Sequence, residues 1–250
     1  MAFSFDLDPR SLLARPDLAE QALEGLIPAG RYRPTQPKRC RIGFAPITAE
    51  TGEAIGEILF GEAFDLLDEV DGRGWGRARR DGTVGYVDLD LLESLTELPT
   101  ARVATTEAPF PLNALVTMAD GVAPEDLADF DTFDMDLATV AERLLGAPYR
   151  AGGRSRAGLD CAGLVQQALL ACGRPAPRWS DLQARLGRET ASVRRGDLII
   201  WVGFHTAIAS DTDNLIHACP DNRCILVESI AQVDARWRLA GAPNPVFRRL

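Results

Sequence analysis

The feature that most constrains this chain is one short stretch, Tyr149-Arg-Ala-Gly-Gly continuing to Asp160-Cys161-Ala-Gly-Leu-Val-Gln-Gln-Ala-Leu-Leu-Ala-Cys172. Leu164, Val165, Ala168, Leu169 and Cys172 recur at helical spacing and predict a buried helix after Cys161. Glycines precede it, so a tight loop delivers Cys161 to the helix start. A thiol there faces backbone N–H groups with no partner and the positive end of the helix dipole, and both favour thiolate, the nucleophilic form. The competing reading is an inert buried cysteine acting as a small hydrophobe.

The two histidines of the chain weigh against inertness. His205 follows the apolar run Leu198-Ile-Ile-Trp-Val, and His217 lies within Asn214-Leu-Ile-His-Ala-Cys219. Both runs are of strand type, punctuated by Gly203 and by Asp211 to Asn214. A cysteine nucleophile needs a base within hydrogen-bond reach, and the base needs a third group to orient its ring. Neighbouring antiparallel strands would put both imidazoles on one sheet face, with the Cys161 helix packed against that sheet.

The C-terminal half resembles the NlpC family of papain-like bacterial cell-wall cysteine peptidases. The likeness rests on Gly146-Ala-Pro-Tyr149-Arg-Ala-Gly-Gly, Gly158-Leu-Asp160-Cys161-Ala-Gly-Leu-Val-Gln, Pro177-Arg178-Trp-Ser180-Asp-Leu-Gln183, Arg195-Gly-Asp-Leu-Ile, His205 and Ile216-His217-Ala, in that order over about a hundred residues. The resemblance implies Cys161 as nucleophile, His205 as general base and His217 as its orienting group. Tyr149 would join the Cys161 backbone N–H in stabilising a tetrahedral oxyanion. It further implies substrate contacts at Asp160, Arg178 and Ser180, with Tyr86 added from the preceding domain. Asp160 would bind a substrate ammonium; capping the helix is its structural alternative. Relative to the family pattern, Ala162 replaces Ser, Ala151 replaces Trp, Thr206 replaces Val and Thr83 replaces Tyr.

Upstream, residues 39–96 read as short strands with hairpin turns at Asp71-Gly72 and Asp81-Gly82. Five candidate strands suggest a small barrel, and Gly74-Trp75-Gly followed by Asp81-Gly-Thr-Val-Gly-Tyr86-Val resembles a bacterial SH3-like domain. Trp75 and Tyr86 read equally as core of that barrel. Residues 1–38 form a lead-in with one short helix begun at Pro16-Asp17, and the proline-containing, acidic stretch 97–135 reads as a linker with one or two strands. Residues 136–250 make the catalytic domain, opened by an amphipathic helix from Leu137 to Leu145. The expected fold class is α+β, a small all-β barrel followed by an antiparallel sheet with helices on one side.

With a net charge of -9, the chain is a poor match for nucleic acid. No apolar run suits a membrane span, and the start Met-Ala-Phe-Ser-Phe-Asp lacks the basic and apolar regions of a signal peptide, so a cytoplasmic location is expected. The five cysteines form no disulfide framework, and the spacing of His217, Cys219 and Cys224 fits no common zinc motif, so neither metal nor cofactor is expected. Nothing in the sequence specifies an oligomer. The expected reaction is hydrolysis of peptidoglycan-derived peptides through a thioester. By resemblance the bond cut is that between γ-D-glutamate and a diamino acid, in recycling of cell-wall peptides. A thiol amidase or acyltransferase on another substrate, and a non-catalytic SH3-like binding protein, are the alternatives.

Overall fold

The computed structural model describes residues 8–250, so the residues on which the signal-peptide reading mainly rests lie outside the described ones. The chain divides into two compact units between Leu98 and Pro99.

The first unit is a seven-stranded antiparallel sheet. Its strands are β1 (Gln36–Cys40), β2 (Phe44–Thr48), β3 (Ala54–Leu59), β4 (Ala63–Val70), β5 (Arg73–Ala78), β6 (Val84–Asp88) and β7 (Leu92–Ser94), in the order β3-β2-β6-β5-β4-β1-β7. Every strand contributes to one core, from Cys40 and Ile47 through Ile58, Phe64 and Ala78 to Val87 and Leu92, so the sheet curls around a single interior. A bend at Ile42-Gly43 separates β1 from β2. Asp71 (φ 51°) and Gly72 (φ 76°) both take left-handed backbone, as a two-residue hairpin turn between Val70 and Arg73 requires.

The lead-in departs from expectation. Where a helix was expected from Pro16-Asp17, only a single 3-10 turn forms at Gln21–Leu23. The segment before Gly25 is too short to sustain a helix alone, and Leu13 and Leu18 are instead buried against Leu67, Trp75 and Tyr86.

In the second unit, the stretch expected to be a linker is packed structure. Strands β8 (Ala101–Val103), β9 (Leu115–Val116) and β10 (Leu127–Ala128) form a small antiparallel sheet in the order β9-β8-β10. Its prolines read as spacer, but buried Asn113 ties it down by donating to Gln167 Oε1 at 2.6 Å and to the Gln167 carbonyl at 3.0 Å.

The main body is a six-stranded antiparallel sheet with four helices. They are α1 (Leu137–Glu142), α2 (Cys161–Ala171), α3 (Ser180–Gln183) and α4 (Ile230–Leu239). The strands are β11 (Arg188–Glu189), β12 (Leu198–Trp201), β13 (His205–Ala209), β14 (Asn214–Cys219), β15 (Cys224–Ser229) and β16 (Val246–Arg249), in the order β11-β16-β12-β13-β14-β15. Leucines and alanines of α1 and α2 pack on Leu198, Ile200, Ile208 and Ile216. Alternate residues, Ile199, Trp201, Ala207 and Leu215, point to the other face and meet Val233 and Trp237 of α4. The helices therefore flank the sheet on both faces, which corrects the one-sided arrangement expected from the sequence. With both faces covered, β12 to β14 are buried along nearly their whole length, which is why they read as continuous apolar runs.

Leu169 is fully buried in the α1–α2 core. Leu169→Ala is expected to destabilise the second unit by about 2–5 kcal/mol, measured as a lower urea midpoint at unchanged slope.

Candidate active site

The site is built on the first turn of α2. The preceding loop folds into a two-residue hairpin, Arg154–Ser155 against Gly158–Leu159, laid directly on the helix. That approach needs glycine on both sides. A Cβ on Gly163 would stand 2.1 Å from the Gly153 carbonyl oxygen, and one on Gly153 would stand 2.2 Å from that of Gly158. Asp160 is the N-cap, accepting from the Gly163 N–H at 2.7 Å, and it also accepts from the Gly152 N–H at 2.9 Å. Arg178 closes a bidentate pair on the same carboxylate, with Nη1 3.1 Å from Oδ1 and Nη2 on Oδ2.

Asp160 and Arg178 thus serve each other and the helix. The carboxylate already accepts from four donors, and the Arg178 side chain is only 3% exposed. Capping, the structural alternative for Asp160, accounts for its contacts without a substrate ammonium. Ser180 opens α3, part-buried, next to Trp179, whose ring lies 5.7 Å from the Arg178 guanidinium. Gln183, fully buried at the end of α3, donates to the carbonyls of Ala162 and Pro177 at 3.0 Å each and so fixes the strand-to-helix corner. Tyr86 belongs to the first unit, where its ring packs in the Leu13–Trp75 cluster with the Arg73 guanidinium 4.8 Å from its centre.

Cys161 is the first residue of α2 and is partly exposed. Its thiol does not behave as the helix terminus alone suggests. Burial first, then the adjacent Asp160 charge, push it up to about 12, against the pull of the Thr206 and Ala162 N–H groups and Arg178. The Thr206 N–H sets the sulfur beside β13, at the residue directly after His205. Tyr149 is half-buried next to the same group. Burial raises its hydroxyl, and the Cys161 and Asp160 charges raise it further.

The histidines sit at alternate positions of β13 and β14, on the α4 face of the sheet. His205 is 2% exposed and His217 is fully buried. His205 Nε2 lies 2.8 Å from His217 Nδ1, and His217 Nε2 lies 2.8 Å from Glu228 Oε2 on β15. Glu228 in turn accepts from Arg236 of α4, at 3.0 Å and 2.6 Å. The next residue, Trp237, stacks on the His205 ring with centres 4.9 Å apart and planes at 25°. Burial, then His217 and Arg236, hold His205 well below the ordinary imidazole range. Burial also lowers His217, opposed by Glu228. The Arg236 hydrogen bonds draw Glu228 down to about 2, so it is a carboxylate throughout the physiological range.

Cys161, His205, His217 and Tyr149 are legible in the sequence, whereas Glu228, Arg236 and Trp237 are not. One signal was present: Ser229-Ile-Ala-Gln232 has the spacing of a capping box, and Ser229 Oγ accepts from the Gln232 N–H at 3.2 Å to start α4. His217, Cys219 and Glu228 offer donor atoms within 4.8 Å of one another, and Cys224 is not among them. The Arg236 guanidinium, 3.8 Å from Cys219 Sγ and bonded to Glu228, already places a fixed cation on that cluster.

Residues 146–237 match the NlpC/P60 family, and residues 49–92 match the bacterial dipeptidyl-peptidase Sh3 domain. Similar solved structures include NlpC1 from Trichomonas vaginalis, 16% identical over 87% of this chain and 94% of that one, with a TM-score of 0.46. NlpC2 from the same organism is 15% identical over 88% of this chain and 98% of that one, with a TM-score of 0.45. The peptidoglycan hydrolase RipB from Mycobacterium tuberculosis is 27% identical over 45% of this chain and 62% of that one, with a TM-score of 0.38. No curated protein matches the chain. The region that assembles Cys161, His205 and His217 is an NlpC/P60 domain, of a cysteine peptidase and hydrolase family, and a bacterial SH3 domain precedes it in the same chain.

Proposed function

We propose that the protein is a cysteine peptidase that hydrolyses peptidoglycan-derived peptides at the bond between γ-D-glutamate and a diamino acid. The observation that carries this reading is the His205–His217 pair, bonded at 2.8 Å within the NlpC/P60 region, beside the strand whose Thr206 N–H faces the Cys161 sulfur. A preceding domain of the bacterial dipeptidyl-peptidase type supports the choice of a short murein peptide. Free cysteines throughout the described residues suit a reducing compartment, so we place the reaction in the cytoplasm, on recycled peptides.

The chemistry follows from the charges. Burial raises the thiol and lowers the imidazole, so the resting pair is neutral thiol and neutral imidazole. On attack, His205 takes the Cys161 proton as the sulfur bonds to the substrate carbonyl carbon. Negative charge moves to the carbonyl oxygen, where the Cys161 N–H and the Tyr149 hydroxyl stabilise it. Collapse breaks the C–N bond, His205 returns the proton to the leaving amine, and a thioester remains. Water, deprotonated by His205, then releases the carboxylic acid and restores the thiol.

Purified protein is expected to release L-Ala-γ-D-Glu from L-Ala-γ-D-Glu-diaminopimelate, and Cys161→Ser to lose at least about a thousandfold in rate. No release, with Cys161 still open to alkylation, would overturn the bond assignment and favour an amidase or acyltransferase on another substrate. In the absence of peptide, alkylation of Cys161 by iodoacetamide, with Cys161→Ser as blank, is expected to be slow at neutral pH. Its rate should climb about tenfold per unit into the alkaline range. A plateau already reached below neutral pH would instead show a resting thiolate–imidazolium pair.

A further inference from the structure

We propose that Glu228, Arg236 and Trp237 are positioning residues that fix the proton arrangement of the two histidines, placing a hydrogen on His205 Nε2 and keeping Nδ1 as its proton-accepting atom. The proposal rests on the reading of Cys161 and His205 as nucleophile and base.

Arg236 donates to both Glu228 oxygens, so Glu228 is ionised and can only accept. His217 Nε2, 2.8 Å from Oε2, must then carry a hydrogen. Between His217 Nδ1 and His205 Nε2, also 2.8 Å apart, there is room for one hydrogen, and two arrangements satisfy the contact. If His217 is neutral, its Nδ1 accepts, His205 Nε2 donates, and His205 Nδ1 is left bare to take the thiol proton. If His217 is imidazolium, it donates to His205 Nε2, and a neutral His205 must then carry its hydrogen on Nδ1. In that state His205 has no lone pair left for the nucleophile.

Arg236 decides between them. A bare carboxylate bonded to a buried imidazole favours imidazolium. Here the guanidinium neutralises the carboxylate, and His217, fully buried, has no net negative charge in contact with it. The other groups facing this pair are Cys219 Sγ, 3.8 Å from Arg236 Nη1, and the exposed Asp221 carboxylate, 3.5 Å from Arg236 Nε. Trp237 completes the unit. Its indole Nε1 is buried without a partner, so the ring is held by packing and stacking, and it fixes the plane of His205. The two imidazoles stand at 89°, an arrangement the stack maintains. Consecutive residues of one helix thus act on different members of the chain, Arg236 on its charge and Trp237 on its orientation.

Because the chain has only two histidines, 15N-histidine labelling of the full-length protein gives two imidazole spin systems. Near neutral pH the wild type is expected to show His217 protonated on Nε2 alone and His205 carrying a hydrogen on Nε2. In Arg236→Met, His217 should become imidazolium in the neutral range. The acid limb of kcat/KM should move up by about one pH unit or more, with activity recovering toward wild type above it. Glu228→Gln is expected to lower kcat by about ten- to a hundredfold at little change in KM. Wild-type His217 protonated on Nδ1, or a rate loss in Arg236→Met equal at every pH, would overturn the proposal. If the murein peptide is not cleaved, the functional reading fails by itself. The imidazole spectra and the pH profile of Cys161 alkylation then decide the proton arrangement without a substrate.

Discussion

The Asp160 carboxylate is the interaction on which the rest of the second unit depends. One group caps α2, holds the Gly152 turn and anchors Arg178, so it ties the glycine loop, the nucleophile helix and the approach to α3 into one corner. Removing one partner of such a buried pair leaves an uncompensated charge, at a cost of about 3–5 kcal/mol. Sufficient geometry therefore comes with an electrostatic cost to the chemistry: the same carboxylate, next in sequence to Cys161, raises the thiol it positions. A helix N-terminus offers N–H groups to a thiolate, yet here burial and a neighbouring anion outweigh them.

That opposition explains why so much structure stands behind His205. In the proposed reaction a thiol pushed upward does not supply nucleophile by itself, so attack depends on a base that is oriented and has the right atom bare. Four elements contribute to that: β13 and β14 bring the imidazoles together, β15 supplies the carboxylate, and α4 supplies the cation and the aromatic plate. His205 and its supports occupy one face of the sheet, while the body of α2 packs on the other. The sulfur reaches the base's strand at its end, by way of the Thr206 N–H.

Much of this was legible in the residues. The Cys161 helix, strands β12 to β15 and the Asp71-Gly72 hairpin announce themselves by periodicity or turn chemistry, because those signals are local. Asn113 was not legible, since its partner Gln167 is far away in sequence and a polar residue among prolines looks like loop. The α4 helix was missed for a different reason. Its packed apolar side is narrow, Ile230, Val233 and Trp237, and Gln232, Asp234, Arg236 and Arg238 are interleaved with it, so hydrophobic spacing is weak even though the Ser229 cap is present. Glu228 carries no signal of its own: a carboxylate at the next-to-last position of an edge strand reads as solvated until β14 and α4 are placed beside it.

The departures from the family pattern are intelligible by the same geometry. Ala162 and Thr206 flank the nucleophile and base, where a side-chain change looks disruptive. What both positions give the sulfur, however, is a backbone N–H, and Ala162 is further held through its carbonyl by Gln183. Thr206 is fully buried with its hydroxyl unpartnered, so it fills the volume of the β-branched Val that the pattern favours and adds no contact at the thiol. Contacts made through the main chain survive substitution as long as the strand and the helix corner stay in place. In the proposed reaction, the side chains that cannot vary are those whose own atoms carry the proton or fix its location: Cys161, His205, His217 and, by the charge argument, Glu228 with Arg236.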